Sequence, residues 1–293
     1  MKIGVIGAGL LGTACMQRLI GGGIEVLAYD VDAAKRAAAE KLGAASAGTI
    51  TEVAKACSTL VLAVFNTDQV EEVIEGRGGI AEASSGGEPR VVICMSTCDP
   101  DRIGALAARA AARGIALLEV PVSGTSTQVA RGDGVALVAG DAAAAEAASR
   151  VLEAICPRRY YIGVVGNGSR AKLAVNLILG LNRGAMAEGL AFAARLGLDP
   201  VEFLEVAKGS AAYSQVMDVK GSMMARREYA KPQSRVDQSL KDFKLMIAQA
   251  RAAGQTLPFA QVYADLLEDC MKNGEAESDN AAILEAIRRR AKS

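Results

Sequence analysis

Gly7-Ala8-Gly9-Leu10-Leu11-Gly12 follows an apolar run at 3–6 and opens a stretch with helical spacing. No other feature of the sequence limits the fold as sharply. A strand that passes into a helix through these glycines needs each for its own reason. Gly7 permits a tight turn, Gly9 lets backbone approach a pyrophosphate, and Gly12 lets the helix pack close to the strand. The helix N-terminus then turns N–H groups and a positive dipole end toward phosphate. Alone the motif is weak; the strand–turn–helix context gives it force.

The surrounding rhythm agrees. Apolar runs at 3–6, 25–29, 60–64, 91–95, 115–120 and 135–139 alternate with helical patterns at 10–20, 33–42, 67–75, 101–113 and 141–155. The runs are nearly continuous, as in parallel strands buried on both faces. This predicts an α/β fold with an N-terminal Rossmann-like, doubly wound sheet over residues 1–163. After Gly166 the strand signal stops. Helical patterns at 169–196, 201–208, 236–253, 258–272 and 280–291 predict an all-α C-terminal domain over 164–293. Ala runs such as 142–145 read as helix propensity, because charged and apolar residues interrupt them at helical spacing.

Composition removes several classes of function. The 293 residues contain no histidine, which excludes His-dependent triads, imidazole general bases and HExxH zinc sites. Thirty-three basic residues balance thirty-three acidic ones, and Trp is absent, so neither nucleic acid nor an anionic membrane is an expected partner. The six cysteines (Cys15, Cys57, Cys94, Cys98, Cys156 and Cys270) form no CxxC, no metal site is expected, and a reducing, cytoplasmic compartment follows. Lys2 and the apolar stretch to Cys15 have the outline of a lipoprotein signal. Gly12 three residues earlier, with Arg18 and Glu25 following and no polar linker, argues against it. No apolar segment is long enough to predict a membrane span.

Eighteen residues past Gly12, the second run ends at Asp30. A carboxylate there would accept hydrogen bonds from the adenosine ribose and repel a 2′-phosphate, and neither Val31 nor Asp32 is an arginine. NAD is therefore expected, with NADP second. Asp30 could instead cap the helix from Ala33. FAD uses the same fingerprint, but the chain is short for a typical flavoprotein.

Without histidine, carbonyl or alcohol chemistry needs another proton donor. In Gly166-Asn167-Gly168-Ser169-Arg170-Ala171-Lys172-Leu173-Ala174-Val175-Asn176, Lys172 sits just inside a long helix, with Asn176 four residues on. A lysine buried beside a nicotinamide would give up its proton more readily. On spacing alone, a solvated surface lysine is the more ordinary reading.

Four ordered motifs change that balance. Gly7–Gly12, Pro121-Val122-Ser123-Gly124-Thr125, Gly168-Ser169-Arg170-Ala171-Lys172 with Asn176, and Lys241-Asp242-Phe243-Lys244-Leu245 together resemble the β-hydroxyacid dehydrogenase family over essentially the whole chain. That family includes 3-hydroxyisobutyrate dehydrogenases, tartronate semialdehyde reductases and, further off, 6-phosphogluconate dehydrogenases. The resemblance implies a nicotinamide-dependent oxidoreductase acting on a small carboxylate-bearing hydroxyacid or semialdehyde. Lys172 would be the general acid/base, Asn176 would orient substrate, and Ser123, Gly124 and Thr125 would line the substrate loop. Gly7, Ala8, Gly9, Leu10, Leu11, Gly12, Asp30, Phe65, Asn66, Ser96, Thr97 and Lys241 would meet the cofactor. It further implies a homodimer or homotetramer formed by the helical domains.

Two departures stand out. Thr125 replaces the second glycine usual in the substrate loop, setting a side chain against the substrate or closing part of its pocket. Gly134 stands where an apolar residue is usual. Arg131 reads either as a further anion contact or as a solvated loop residue. Imine reductases and catalytically silent nucleotide-binding relatives remain the alternatives; both generally lack the lysine that this chain has at position 172.

Overall fold

The computed structural model describes residues 1–83 and 90–290. Position 291, the end of the last expected helix, lies outside the described residues. The chain divides into two compact units, one reaching Lys172 and one starting at Leu173. The sequence pattern sets the boundary at 163/164, where strands give way to helices. The compact units instead divide inside the long helix, whose first turns pack with the α/β unit.

In the first unit, β1 (Lys2–Ile6), β2 (Glu25–Tyr29), β3 (Ala45–Ser46), β4 (Thr59–Leu62), β5 (Arg90–Cys94) and β6 (Ile115–Glu119) form a parallel sheet in the order β3-β2-β1-β4-β5-β6. Helices α1 (Leu10–Gly21), α2 (Ala33–Lys41), α3 (Ile50–Ala56), α4 (Thr67–Glu75), α5 (Ile80–Ala83) and α6 (Pro100–Ala111) connect the strands. One face packs Ile3, Val5, Val61, Ile93 and Leu118 with Cys15, Met16 and Leu19 of α1. The other packs Ile6, Leu60, Leu62, Val92 and Leu117 with Val53, Val70, Ile74, Ile103 and Leu106. Alternate residues of one strand thus enter different cores, which is why the runs are continuous rather than alternating.

A separate three-stranded sheet follows, made of β7 (Val122–Ser123), β8 (Val135–Val138) and β9 (Arg158–Tyr161), ordered β7-β8-β9. The expected strand at 135–139 therefore leaves the parallel sheet. It pairs antiparallel with β7 and parallel with β9. Strands β7 and β9 are short or largely exposed, and their hydrophobic signal is correspondingly faint. Between the strands lie α7 (Ser126–Arg131), α8 (Ala142–Ala147) and α9 (Ser149–Ile155). The single helix expected at 141–155 is broken at Ala148.

Helix α10 runs unbroken from Asn167 to Arg195. In the second unit α11 (Pro200–Lys208), α12 (Gln215–Arg226), α13 (Val236–Ala252), α14 (Pro258–Lys272), a 3₁₀ turn at Asn280–Ala282 and α15 (Ile283–Arg289) follow. No strand occurs there among the described residues. Gly180 of α10 faces the Phe243 ring and Gly184 the Tyr263 ring, and the two rings stack with centroids 4.4 Å apart. A Cβ at either glycine would press on a ring, so these small residues permit close helix packing inside the unit. Gly189 has open space around it. A buried ion pair, Lys220 Nζ to Asp279 Oδ2 at 2.6 Å, joins α12 to the 3₁₀ turn.

Candidate active site

The glycine turn has the shape the fingerprint requires. Gly7 has φ +98°, and a Cβ there would strike the Ala63 carbonyl; one on Gly12 would collide with the Gly7 carbonyl. At Gly9 nothing lies within 4 Å of where a Cβ would stand. The N-terminus of α1 has no side-chain cap and no acidic residue in its first turn. Ala8 is buried, Leu10 is exposed and Leu11 is half-buried. An open helix start beside a collapsed glycine turn fits a dinucleotide pyrophosphate, with its backbone N–H groups as donors.

Asp30 directly follows β2 and is buried. Its Oδ2 accepts from Ala8 N at 2.7 Å and its Oδ1 from Asp32 N at 2.9 Å. The carboxylate therefore ties the glycine turn to the end of β2, and each oxygen keeps a lone pair for a hydroxyl. Asp32, not Asp30, caps α2. Arg36, six residues beyond Asp30, curls back so that Nη1 donates to the Asp30 carbonyl at 2.6 Å. A reading limited to residues 31 and 32 misses this guanidinium, because a helix turn brings it there.

The remaining expected cofactor contacts in this unit lie in the loops after β4 and β5. Phe65 is partly exposed, and the side-chain oxygen of Asn66 caps α4 through Gln69 N. Ser96 donates its hydroxyl to the Val64 carbonyl at 2.7 Å, joining the two loops, with half-buried Thr97 next to it. All four occupy carboxyl ends of parallel strands, where ligands of open sheets bind.

In the substrate loop Ser123 is half-buried, and Gly124 is exposed with φ +135°. Thr125 is buried at the start of α7. Its Oγ1 accepts from Gln128 N at 3.2 Å and its own N–H donates to Gln128 Oε1 at 2.8 Å. This capping box engages both polar groups at the start of α7. Thr125 thus shapes the loop, and Gln128 shares that task. At Gly134 a Cβ would press on Val122, Val129 and Cys156, so the glycine is needed by the packing beneath the loop. Arg131 is exposed in the last turn of α7.

Lys172 is buried, at 7% exposure, five residues into α10. The surface-lysine reading is thereby removed. What holds this stretch is Glu119, the last residue of β6, with no exposed surface. Its Oε2 accepts from Gly166 N at 2.7 Å and Gly168 N at 3.1 Å, and its Oε1 from Ser169 N at 2.6 Å. The sequence signal was an acidic residue closing an apolar run just before the Pro121 loop, which reads as a solvated strand end until the helix start is seen to cover it.

On the helical unit, Asn176 Nδ2 donates to Asp242 Oδ2 at 3.3 Å, and Lys241 Nζ lies 3.0 Å from Asp242 Oδ1. The structure thus brings Asn176 and Lys241 to one buried carboxylate. In the sequence Asp242 stands out only as part of the Lys241 motif. Lys172 and Asn176, four apart on an unbroken helix, lie along one side of it.

Comparison with known proteins agrees with this geometry. The NAD-binding domain of 6-phosphogluconate dehydrogenase matches residues 2–163, and the NAD-binding domain of NADP-dependent 3-hydroxyisobutyrate dehydrogenase matches 166–287. The chain is 30% identical to the 2-hydroxy-3-oxopropionate reductase of Escherichia coli, over 98% of this chain and 97% of that protein. It is also 30% identical to the L-threonate dehydrogenase of Cupriavidus necator, over 97% and 95%. A crystal structure of 3-hydroxyisobutyrate dehydrogenase from Salmonella typhimurium superimposes with a TM-score of 0.88 at 26% identity, covering 97% of this chain and 99% of that one. With a nucleotide-binding glycine turn, a buried helical lysine and relatives matched over nearly their full length, this chain belongs to the β-hydroxyacid dehydrogenase family, NAD(P)-dependent oxidoreductases that act on the CH–OH group of small hydroxyacids.

Proposed function

We propose that this chain reduces a small carboxylate-bearing semialdehyde or keto acid to its β-hydroxyacid, and runs the reverse oxidation, with NADH preferred over NADPH and Lys172 as the general acid/base. Gly7–Gly12 and Asp30 would hold NADH, which when bound would supply the hydride that reduces the carbonyl carbon. Lys172 Nζ gives a proton to the carbonyl oxygen as negative charge develops there, and takes it back in the oxidation. The Ser123 hydroxyl and the Gly124 N–H hold the carboxylate, so the acid end of the substrate fixes the carbonyl end. Asn176, steadied by Asp242, orients the substrate, and Lys241 offers positive charge to the cofactor or substrate.

Burial of Lys172 in a helix whose start is fixed by Glu119 is the observation that carries the reading. It separates a placed lysine from a solvated one. The test is Lys172→Ala. NADH titration should be unchanged, since Gly7–Gly12 and Asp30 are untouched, while turnover falls by at least about 100-fold. Lys172→Arg should not restore it, because a guanidinium keeps its proton near neutral pH. An alanine variant with wild-type turnover removes Lys172 from the mechanism.

All six cysteines are buried free thiols, which supports a reducing, cytoplasmic setting. No helix among the described residues is long and apolar enough to cross a membrane. Exposed Ile178 and Phe192 on α10, with Leu196 just beyond its end, support a homodimer or homotetramer built through the helical unit. Light scattering on Phe192→Glu checks this, with a shift toward monomer expected.

A further inference from the structure

We infer that Glu119 is a positioning residue for proton transfer: its buried carboxylate fixes the register of α10 against the strand that leads into the substrate loop, and so sets where Lys172 stands relative to Ser123 and Gly124. The inference rests on the reading of Lys172 as the proton donor.

Three backbone donors converge on two oxygens, from Gly166, Gly168 and Ser169. Such charge-assisted bonds are short and strong, and a negative group at a helix N-terminus gains from the dipole. No acidic residue of α10 could substitute, because its first turn has none. Gly168 is shaped to the same end. A Cβ there would lie 2.8 Å from the Glu119 carboxyl group. The helix therefore carries a residue of poor helix propensity at the point where the carboxylate approaches.

The other side of the clasp is equally fixed. Glu119 exchanges two backbone hydrogen bonds with Ala139, each 2.8 Å, and Val120 N donates to Cys94 O at 2.7 Å. Four residues after Glu119 comes Ser123, paired with Val135 in the small sheet. One residue thus links the loop that grips the carboxylate to the helix that presents the lysine. Each oxygen is matched to particular donors, so the clasp admits one register. A slip of one residue would move the helix about 1.5 Å along its axis and rotate Lys172 by about 100°. Glu119 itself, fully buried and bonded on both oxygens, does not reach a substrate.

The test uses Glu119→Gln and Gly168→Ala in the full-length protein, beside Lys172→Ala. NADH titration counts the folded sites in each preparation, so a loss of fold is separated from a loss of chemistry. Glu119→Gln keeps the shape but leaves one acceptor oxygen for three donors. Gly168→Ala keeps the charge and raises helix propensity while displacing the carboxylate. Both should lower kcat per titrated site about 10–100-fold, with KM and NADH affinity within about threefold. Amide hydrogen exchange at Gly166, Gly168 and Ser169 should quicken in Glu119→Gln. A merely structural role would reduce the number of sites and leave kcat per site unchanged, and that result overturns the inference. If Lys172→Ala is inactive while Glu119→Gln turns over like wild type, the positioning role fails alone. If Lys172→Ala is fully active, the proton-donor reading fails and the positioning role fails with it.

Discussion

The α/β unit contains two helix starts with opposite fates. Helix α1 begins at Gly9 with no capping side chain and open space where a Cβ would stand. Helix α10 begins against the buried Glu119 carboxylate, which takes the N–H groups of Gly168 and Ser169 in its first turn and of Gly166 just before it. Around them α2, α3, α4, α6, α7 and α8 are each closed by a side-chain oxygen from the preceding residue. A helix start that the protein leaves open keeps its N–H donors available, whereas one that it fills has them already bonded.

Filling or emptying these sites should break the contrast in predictable ways. The largest effect is expected from Glu119→Ala, which leaves three buried donors unpaired. At about 1 kcal/mol or more for each, chemical denaturation should show a loss of about 3 kcal/mol. A loss under about 1 kcal/mol would mean that water reaches the helix start. Next is Gly9→Asp, which gives α1 the cap that its neighbours have. The backbone at Gly9, φ −72° and ψ −166°, accepts such a residue. The apo protein should melt no earlier than wild type, while the NADH dissociation constant rises about 100-fold, or 2.7 kcal/mol, as carboxylate meets pyrophosphate. Unchanged NADH affinity would show that the open start is not the phosphate site.

A third comparison sets Glu119 beside Asp279 of the helical unit. Asp279 also takes backbone donors, from Gln233, Ser234 and Ala281, but adds Lys220. Burial pulls the Lys220 ammonium down to about 8, against the pull of Asp279 in the other direction. The folded state therefore releases this proton before the unfolded chain does. Between about pH 8 and 10.5 the unfolded chain holds more of it, so this group's contribution to stability rises with pH, and is lost as pH falls back through 8. The slope is at most about 1.4 kcal/mol per pH unit. Urea midpoints across that range should show it, and Lys220→Met should flatten it. The smallest effect is expected at Arg36. Its guanidinium at the end of β2 offers partial compensation to a 2′-phosphate that Asp30 would repel. Arg36→Ala should weaken NADPH use about threefold and leave NADH use unchanged, checked by kcat/KM with both cofactors.

The parallel sheet, the glycine turn and the long helix were legible because they rest on local rules: continuous apolar runs, glycines at fixed spacing, and helical periodicity broken by Gly197 and Pro200. Asp30 was legible as a carboxylate closing the second apolar run, whereas the roles expected of Lys172 and Asn176 came only through resemblance. Ser123 and Gly124 were named through resemblance. The strand at 135–139 was recognised but given to the wrong sheet, since apolar content reports burial and says nothing about pairing partners. Helix α12 has a weak apolar periodicity because Met, Lys and Gly mix along it, and its buried face includes the paired Lys220.

By itself the sequence determined the glycine turn after β1, most strands of the parallel sheet, the long helix α10, and that any proton carrier in this chain is something other than histidine. Those follow from short-range sterics and from the inventory of side chains. Only the tertiary structure decided that Lys172 is buried, that Thr125 turns to Gln128 and that Arg36 returns to Asp30. It alone joined Asn176 to Asp242, and Glu119 to a helix start 47 residues further along the chain. The physical reason is that a side chain's hydrogen-bond partners depend on what folding brings within about 3 Å, and separation along the chain does not encode that distance.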